Sequence, residues 1–169
     1  MVSRMKGRWA QGIQPRNFAW IIKDHLAVCE RPGGYGPNHR RVRRQEEIIW
    51  IREQGFSRVV SLLPSPHNLR AYDEFGVKWE HFPMSRGEAA TVLTDLYPAL
   101  RVWLSGGERV LVHQEELGDM IQGVVAGYLV YASLVPSPAE AISIVERITQ
   151  RQMGPPGREL VGAAAELAS

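Results

Sequence analysis

Apolar and polar residues follow two different periods along the chain. Short runs rich in Val, Ile, Leu, Phe and Trp predict strands, whereas longer segments with apolar residues three and four apart predict helices. Strands are predicted at residues 56–63, 77–82 and 109–113, after a short hairpin at residues 17–28. Helices are predicted at residues 39–54, 69–75, 91–105, 121–131, 139–152 and 158–168. Pro98 predicts either a bend in its helix or a start later than Thr91.

The order of these elements predicts the fold class. Because strands alternate with helices, we expect an α/β domain with a central, mostly parallel sheet flanked by helices. A chain of 169 residues is long enough for one domain with a sizeable core. Residues 1–12 are basic and have no periodic pattern, so we expect a flexible basic N-terminal arm there and a single domain over residues 13–169.

One stretch, residues 109–130, carries the candidate chemistry. An apolar run ends at His113, a short polar loop spans residues 114–120, and a small-residue apolar helix follows. A strand, a tight loop and a helix in this order point backbone N–H groups at an anion. The loop, however, carries Glu115, Glu116 and Asp119 and no Lys or Arg. The loop is therefore negatively charged, whereas a phosphate-binding site is normally positive.

Composition narrows the class of protein only slightly. The net charge of +2 is too small to indicate nucleic-acid binding by itself. The single cysteine, Cys29, excludes an intramolecular disulfide and fits a reducing compartment. There is no run of about 18 apolar residues, and the basic N-terminus lacks the apolar segment of a secretory signal. We therefore expect a cytoplasmic protein without a membrane span.

The stretch resembles the active-site motif of the cysteine-dependent protein tyrosine phosphatases, in particular the compact dual-specificity type. That family carries V-H-C-x-x-G-x-x-R-[ST]-G before a helix. Here Val112 and His113 match, and the catalytic and phosphate-binding positions that follow them differ. Gln114 stands at the nucleophile position, Leu117 at the loop glycine, Met120 at the phosphate-binding arginine and Ile121 at the Ser/Thr position.

The resemblance extends along most of the chain. Downstream, Val124, Ala126, Tyr128 and Leu129 resemble the family's V-x-A-x-Y-L in an unbroken register. Upstream, the predicted strands and the short helix between them follow the family's order. In active members, a loop after the second of these strands supplies an aspartic acid as general acid. Arg86 stands at that position here.

The resemblance implies a phosphatase-like fold without the family's catalytic groups. The amide of Gln114 cannot form a covalent phosphoenzyme, Met120 cannot make a bidentate phosphate contact, and Arg86 is a poor proton donor at neutral pH. The implied function is a pseudophosphatase, a catalytically inactive domain that acts by binding or regulating a protein partner of unknown identity. The alternative is a phosphoester hydrolase of weak or altered activity. Neither function requires a cofactor.

Binding at the loop is a separate question from catalysis. The three carboxylates are expected to repel a phosphate dianion, so we do not expect the loop to hold phosphate. A solvated acidic loop and a surface for basic groups of a partner both remain open. The degenerate active-site loop comprises His113, Gln114, Glu115, Glu116, Leu117, Gly118, Asp119 and Met120. Its acids and His113 have suitable atoms for a divalent metal, but the spacing matches no known site, and no metal is expected.

A second charged segment begins the helix predicted at residues 39–54. It carries Arg40, Arg41, Arg43 and Arg44. Arg43 can pair with Glu47 one turn later. A solvated helix face is the simplest interpretation, and a basic patch for nucleic acid or another anionic surface is the alternative. Because this is only one patch, nucleic-acid binding is not expected.

Overall fold

The computed structural model describes residues 12–34, 41–66, 68–85 and 87–168. Its strands are β1 (Ala19–Ile22), β2 (Leu26–Glu30), β3 (Arg58–Ser61), β4 (Lys78–His81) and β5 (Val110–Gln114). Its α-helices are α1 (Arg41–Glu53), α2 (Ala89–Ser105), α3 (Asp119–Tyr131), α4 (Pro138–Thr149) and α5 (Pro155–Ala168), and a 3₁₀-helix spans Leu69–Phe75. The arm predicted at residues 1–12 lies almost entirely outside the described residues.

The five strands form one sheet in the order β1-β2-β5-β3-β4. β1 is antiparallel to β2, and the remaining neighbours run parallel. The predicted mostly parallel α/β fold is therefore confirmed. β5 lies at the centre of the sheet, so the loop that follows it leaves from the middle of the carboxyl edge, where ligands of open α/β sheets bind.

Alternating residues of the central strand supply two separate cores. Leu111 faces α1 and the 3₁₀-helix, and packs in a cluster with Ala27, Cys29 and Tyr72. Val110 and Val112 face the other side of the sheet, where the larger cluster joins α2, α3, α4 and α5. This two-residue period is the geometry of a strand that is covered on both faces.

The larger of the two cores surrounds α3, in which every residue from Ile121 to Val130 is buried. A Cβ atom on Gly123 would lie 2.6 Å from the carbonyl oxygen of Gly157, because the backbones of α3 and α5 approach closely there. Across the same helix, Tyr97 Oη donates to the carbonyl of Val124 at 2.7 Å. These contacts hold α3 against α5 and α2 one turn after its start.

Several predicted boundaries were wrong. α2 begins at Ala89, earlier than Thr91, and continues through Pro98. Pro98 and Thr94 are both exposed, so the carbonyl that loses its helical partner faces water. α5 begins at Pro155, because the two prolines after Gly154 form its first turn instead of a terminator. Among the described residues, no helix combines the length and the apolar character needed to cross a membrane.

Candidate functional site

The candidate site is the turn between β5 and α3. Gln114 is the last residue of β5, residues 115–118 form the turn, and Asp119 begins α3. The predicted loop of residues 114–120 is thus shorter in the structure, since Gln114 belongs to the strand and Met120 to the first helical turn. The order strand, turn, helix is confirmed.

Two backbone N–H groups of the turn are bonded within the turn itself. The side-chain Oε1 of Gln114 accepts from the N–H of Glu115 at 3.3 Å. The N–H of Gly118 donates to the carbonyl of Glu116 at 2.9 Å. A ligand anion would have to displace these acceptors to use either donor. The turn therefore has fewer N–H groups free to bind an anion than a strand-turn-helix backbone would provide.

The three acidic side chains of the turn point to three different environments. Arg31 Nε lies 3.1 Å from Glu115 Oε1, close enough for an ion pair although this nitrogen donates no hydrogen bond within the described residues. Asp119 Oδ1 accepts from the N–H of Gly154 at 2.8 Å. Glu116 alone is exposed. Of the three carboxylates, Glu116 is therefore the solvated one, and Asp119 is held by a backbone N–H.

The apolar residues of the turn are structural. Leu117 is 2% exposed and packs in the larger core, and Met120 packs partly buried against the same cluster. A shallow cleft of about 270 Å³ lies over the turn and is bordered by Pro156 of α5. Its charged lining residues are Glu115, Glu116 and Asp119, with no Lys or Arg among the described residues that line it. The cleft is thus acidic with an apolar wall.

His113 lies on the opposite face of the sheet from this cleft. It is 1% exposed, and its Nδ1 lies 3.0 Å from the hydroxyl of Tyr72. Burial, with smaller contributions from Arg31 and His81, lowers the pKa of His113 from 6.5 to about 3, so the imidazole is neutral at pH 7. Its Nε2 has no hydrogen-bond partner within the described residues.

The structure separates the four groups of the hypothetical metal site. His113 faces Tyr72, whereas Asp119 is bonded to Gly154. Within the described ranges, no group of three or more His, Cys, Asp or Glu side chains could hold a metal ion.

Cys29 has a neighbour that sequence reasoning missed. It lies beside His113 in the register of β2 and β5, on the face that packs against Tyr72. Burial, followed by the charges of Glu47 and Glu30, raises the pKa of the thiol well above its usual value. The pairing of two apolar parallel strands was the signal for this proximity, but sequence alone does not give the strand order.

The arginine-rich segment divides into two parts. Arg43 pairs with Glu47 at 2.7 Å, as its spacing predicts. Arg41 and Arg44 face another side, where Arg70 from the 3₁₀-helix joins them around a surface pocket. Sequence reasoning missed Arg70, because only the fold brings the two segments together. Arg40 and the predicted general-acid position, Arg86, lie outside the described residues.

The sheet order, the central strand-turn-helix and the helical layers define the class: this is the fold of the tyrosine and dual-specificity phosphatases. A solved structure of kinase-associated phosphatase, with its catalytic cysteine replaced by serine, matches with a TM-score of 0.76 and 19% identity over 92% of this chain and 98% of that chain. Tk-PTP in its active form matches with a TM-score of 0.68 and 20% identity, covering 88% and 96% of the two chains. Human DUSP28 matches with a TM-score of 0.66 and 16% identity, covering 91% and 97%.

These similarities concern the fold. No protein-family model matches this chain, and no curated protein sequence matches it either.

Proposed function

We propose that the protein is a catalytically inactive phosphatase-like domain that acts by binding a protein partner. The observation that carries the proposal is the position of Gln114. It ends the central strand at the carboxyl edge of a phosphatase-like sheet, where the resemblance places the nucleophile, and its amide oxygen is bonded to the next N–H of the turn. An amide is not a nucleophile that can form the covalent intermediate of this reaction.

Among the described residues, Cys29 and His113 lie close to Gln114, and neither is placed to act as the nucleophile. Cys29 is fully buried one strand away, and its raised pKa disfavours the thiolate that would have to attack phosphorus. His113 is turned toward Tyr72 on the other face of the sheet. The proposal therefore does not depend on Gln114 alone.

The electrostatics of the cleft oppose a phosphate ligand. At 4 Å, two like charges repel by about 1 kcal/mol in water and by about 4 kcal/mol at an effective dielectric constant of 20. The N-terminus of a helix such as α3 stabilises a bound anion by only about 0.3–2 kcal/mol. Met120, at the position of the phosphate-binding arginine, packs against the core and supplies no charge.

The same charges suit a partner segment that carries Lys or Arg. Glu116 is exposed and Glu115 is 40% exposed at the rim of the cleft, while Pro156 and Ile121 provide apolar lining. Charged rim residues increase the association rate and the specificity more than the affinity. A basic segment with an apolar residue beside its cation is the partner chemistry we propose.

Catalysis is tested with an aryl phosphate and the full chain. We expect the wild-type rate to equal that of the buffer blank and the Gln114→Ala rate to equal the wild-type rate. Turnover above the blank that Gln114→Ala abolishes would contradict the proposal and favour a hydrolase of altered mechanism. The double variant Gln114→Cys with Met120→Arg tests the assignment of positions, since some binding of a phosphate analogue in the turn should return.

Partner binding is tested by co-purification from the native cell with charge-reversed variants. Glu115→Lys with Glu116→Lys should lose the partners that the wild-type chain retains. Asp95→Lys with Glu53→Lys is the matched control, because it reverses two exposed acids that line neither the acidic cleft nor the pocket beside it, and it should retain them. If both double variants lose the same partners, the acidic cleft is not the binding surface.

A further inference from the structure

A second pocket of opposite charge lies beside α1. We call it the arginine pocket; it has a volume of about 610 Å³, and Arg41, Arg44, Arg70, Glu74 and Trp79 are among its lining residues. Two guanidinium groups come from α1 and the third from the 3₁₀-helix, and Trp79 comes from β4. None of the described residues that line this pocket also lines the acidic cleft. It is therefore a separate feature of the surface.

The positive charges of the arginine pocket are crowded. Burial and then the neighbouring Arg41 lower the pKa of Arg44; Glu74 opposes them, and Arg31 adds a smaller lowering. Glu74 is the only carboxylate among the described residues that line the pocket. Arg43, by contrast, is turned away and neutralised by the buried Glu47. An anion in the pocket would relieve this repulsion.

The Trp79 and Arg44 sides of the pocket are held in place. Trp79 Nε1 donates to Asp73 Oδ1 at 3.0 Å, which fixes the indole ring at the pocket's edge. Arg44 and Asn68 also line a small internal cavity beside His113 and Tyr72, so the floor of the pocket adjoins the rigid core. A site whose side chains are already positioned loses less entropy on binding.

We propose that the arginine pocket binds a phosphorylated side chain of a protein segment. Guanidinium groups form bidentate, charge-assisted hydrogen bonds with phosphate oxygens, and clusters of arginine are a recurring means of recognising phosphorylated motifs. The indole of Trp79 provides an apolar surface for the residue next to the phosphate. The site exists whether or not the turn after β5 is catalytic.

The distribution of the positive side chains on the surface favours a phosphopeptide over a nucleic acid. Nucleic acids require an extended positive stripe that follows the phosphate backbone. Here the arginines surround one pocket, and Arg43 and Arg52 on the same helix are paired with Glu47 and Glu53. Within the described residues of α1 and the 3₁₀-helix, the positive charge is thus concentrated at the pocket.

The experiment measures binding of short fluorescent peptides to the full chain at physiological ionic strength. The probes are one Gly-Ser-Ala peptide with a central phosphotyrosine, its phosphoserine counterpart and the unphosphorylated peptide. We expect at least one phosphopeptide to bind about tenfold tighter than the unphosphorylated one. Arg41→Ala with Arg70→Ala should weaken that binding about tenfold or more, because two charge-assisted contacts are lost. Both positions are exposed, so the fold should be retained, as thermal melting will verify.

The matched control removes two exposed arginines elsewhere, Arg147→Ala with Arg151→Ala, and should leave binding unchanged. Equal affinity for the unphosphorylated peptide, or an equal loss in the control, would overturn the proposal. Tighter binding of a single-stranded oligonucleotide would assign the pocket to nucleic acid instead. If inorganic phosphate binds as tightly as the phosphopeptide, the pocket takes free phosphate and the peptide assignment fails.

Discussion

The hydroxyl of Tyr72 lies 3.0 Å from Nδ1 of His113, with both side chains in the core. The bond joins the 3₁₀-helix to the end of the central strand, immediately before Gln114. It therefore connects the folding of one face of the sheet to the position of the candidate site on the other.

The first prediction concerns pH and His113. Because the folded pKa is about 3 and the unfolded value is 6.5, the unfolded chain gains a proton first as the pH falls. The stability contributed by the neutral imidazole is fully present above about pH 6.5 and is lost on acidification toward pH 3, with a slope of up to about 1.4 kcal/mol per pH unit. Urea unfolding between pH 7 and about pH 5, above the carboxylate range, measures this slope.

His113→Gln should remove that part of the pH dependence. His25→Gln, at an exposed position, should keep it. If the wild-type chain and His113→Gln show parallel pH profiles, the imidazole is not held neutral by burial.

The second prediction concerns the other side of the same hydrogen bond. Tyr72→Phe keeps the ring but leaves His113 without its partner at Nδ1, which should cost about 1–3 kcal/mol of unfolding free energy. Chemical denaturation gives this value directly. Tyr131→Phe, at a half-buried position at the end of α3, is the control with the same chemical change. Equal effects of the two changes would show that the Tyr72 hydroxyl has no special role.

The third prediction treats Asp119 as a structural residue. Its Oδ1 accepts from the N–H of Gly154 and so joins α3 to the segment before α5. Asp119→Ala should destabilise by about 1–3 kcal/mol, whereas Asp119→Asn retains an acceptor oxygen and should cost less. Glu116→Ala, at the exposed position, should change stability by no more than about 0.5 kcal/mol. Identical melting of Asp119→Ala and Glu116→Ala would contradict this role.

The fourth prediction contrasts two glycines in the helices of the larger core. Gly123→Ala would place a methyl group 2.6 Å from the carbonyl oxygen of Gly157, so α3 and α5 must separate, at a cost of about 1–3 kcal/mol. Gly162→Ala on α5 meets nothing within 4 Å and should stabilise the helix by about 0.4–1 kcal/mol. Thermal unfolding of both variants checks the opposite signs. A destabilised Gly162→Ala would show that helix propensity does not control that site.

The elements that sequence predicted well are those with a strong local signal. The hairpin before residue 30, the short helix ending at Gly76 and the helix capped by Ser137 all lie where their patterns indicate. The Ser137 side chain accepts from the N–H of Glu140, as its spacing predicts. The misplaced boundaries of α2 and α5 involve helices that contain prolines, and proline begins helices as well as ending them.

The candidate site was only partly predictable, because its chemistry depends on contacts between distant segments. The charges of Glu115 and Asp119 were visible in the sequence, but their partners, Arg31 and Gly154, were not. Likewise Arg70 could not be linked to Arg41 without the fold. Periodicity predicts which face of an element is buried, and it does not indicate which other element covers that face.

Because of its position, the reactivity of Cys29 can be used to measure unfolding of the chain. It is the only thiol of the sequence, and it is fully buried on β2, where it packs with residues of α1 and the 3₁₀-helix. The rate of alkylation in native buffer therefore measures how often this part of the fold opens. Each variant named above that adds no cysteine can be ranked for stability by this one reaction, without an added label or a spectroscopic probe.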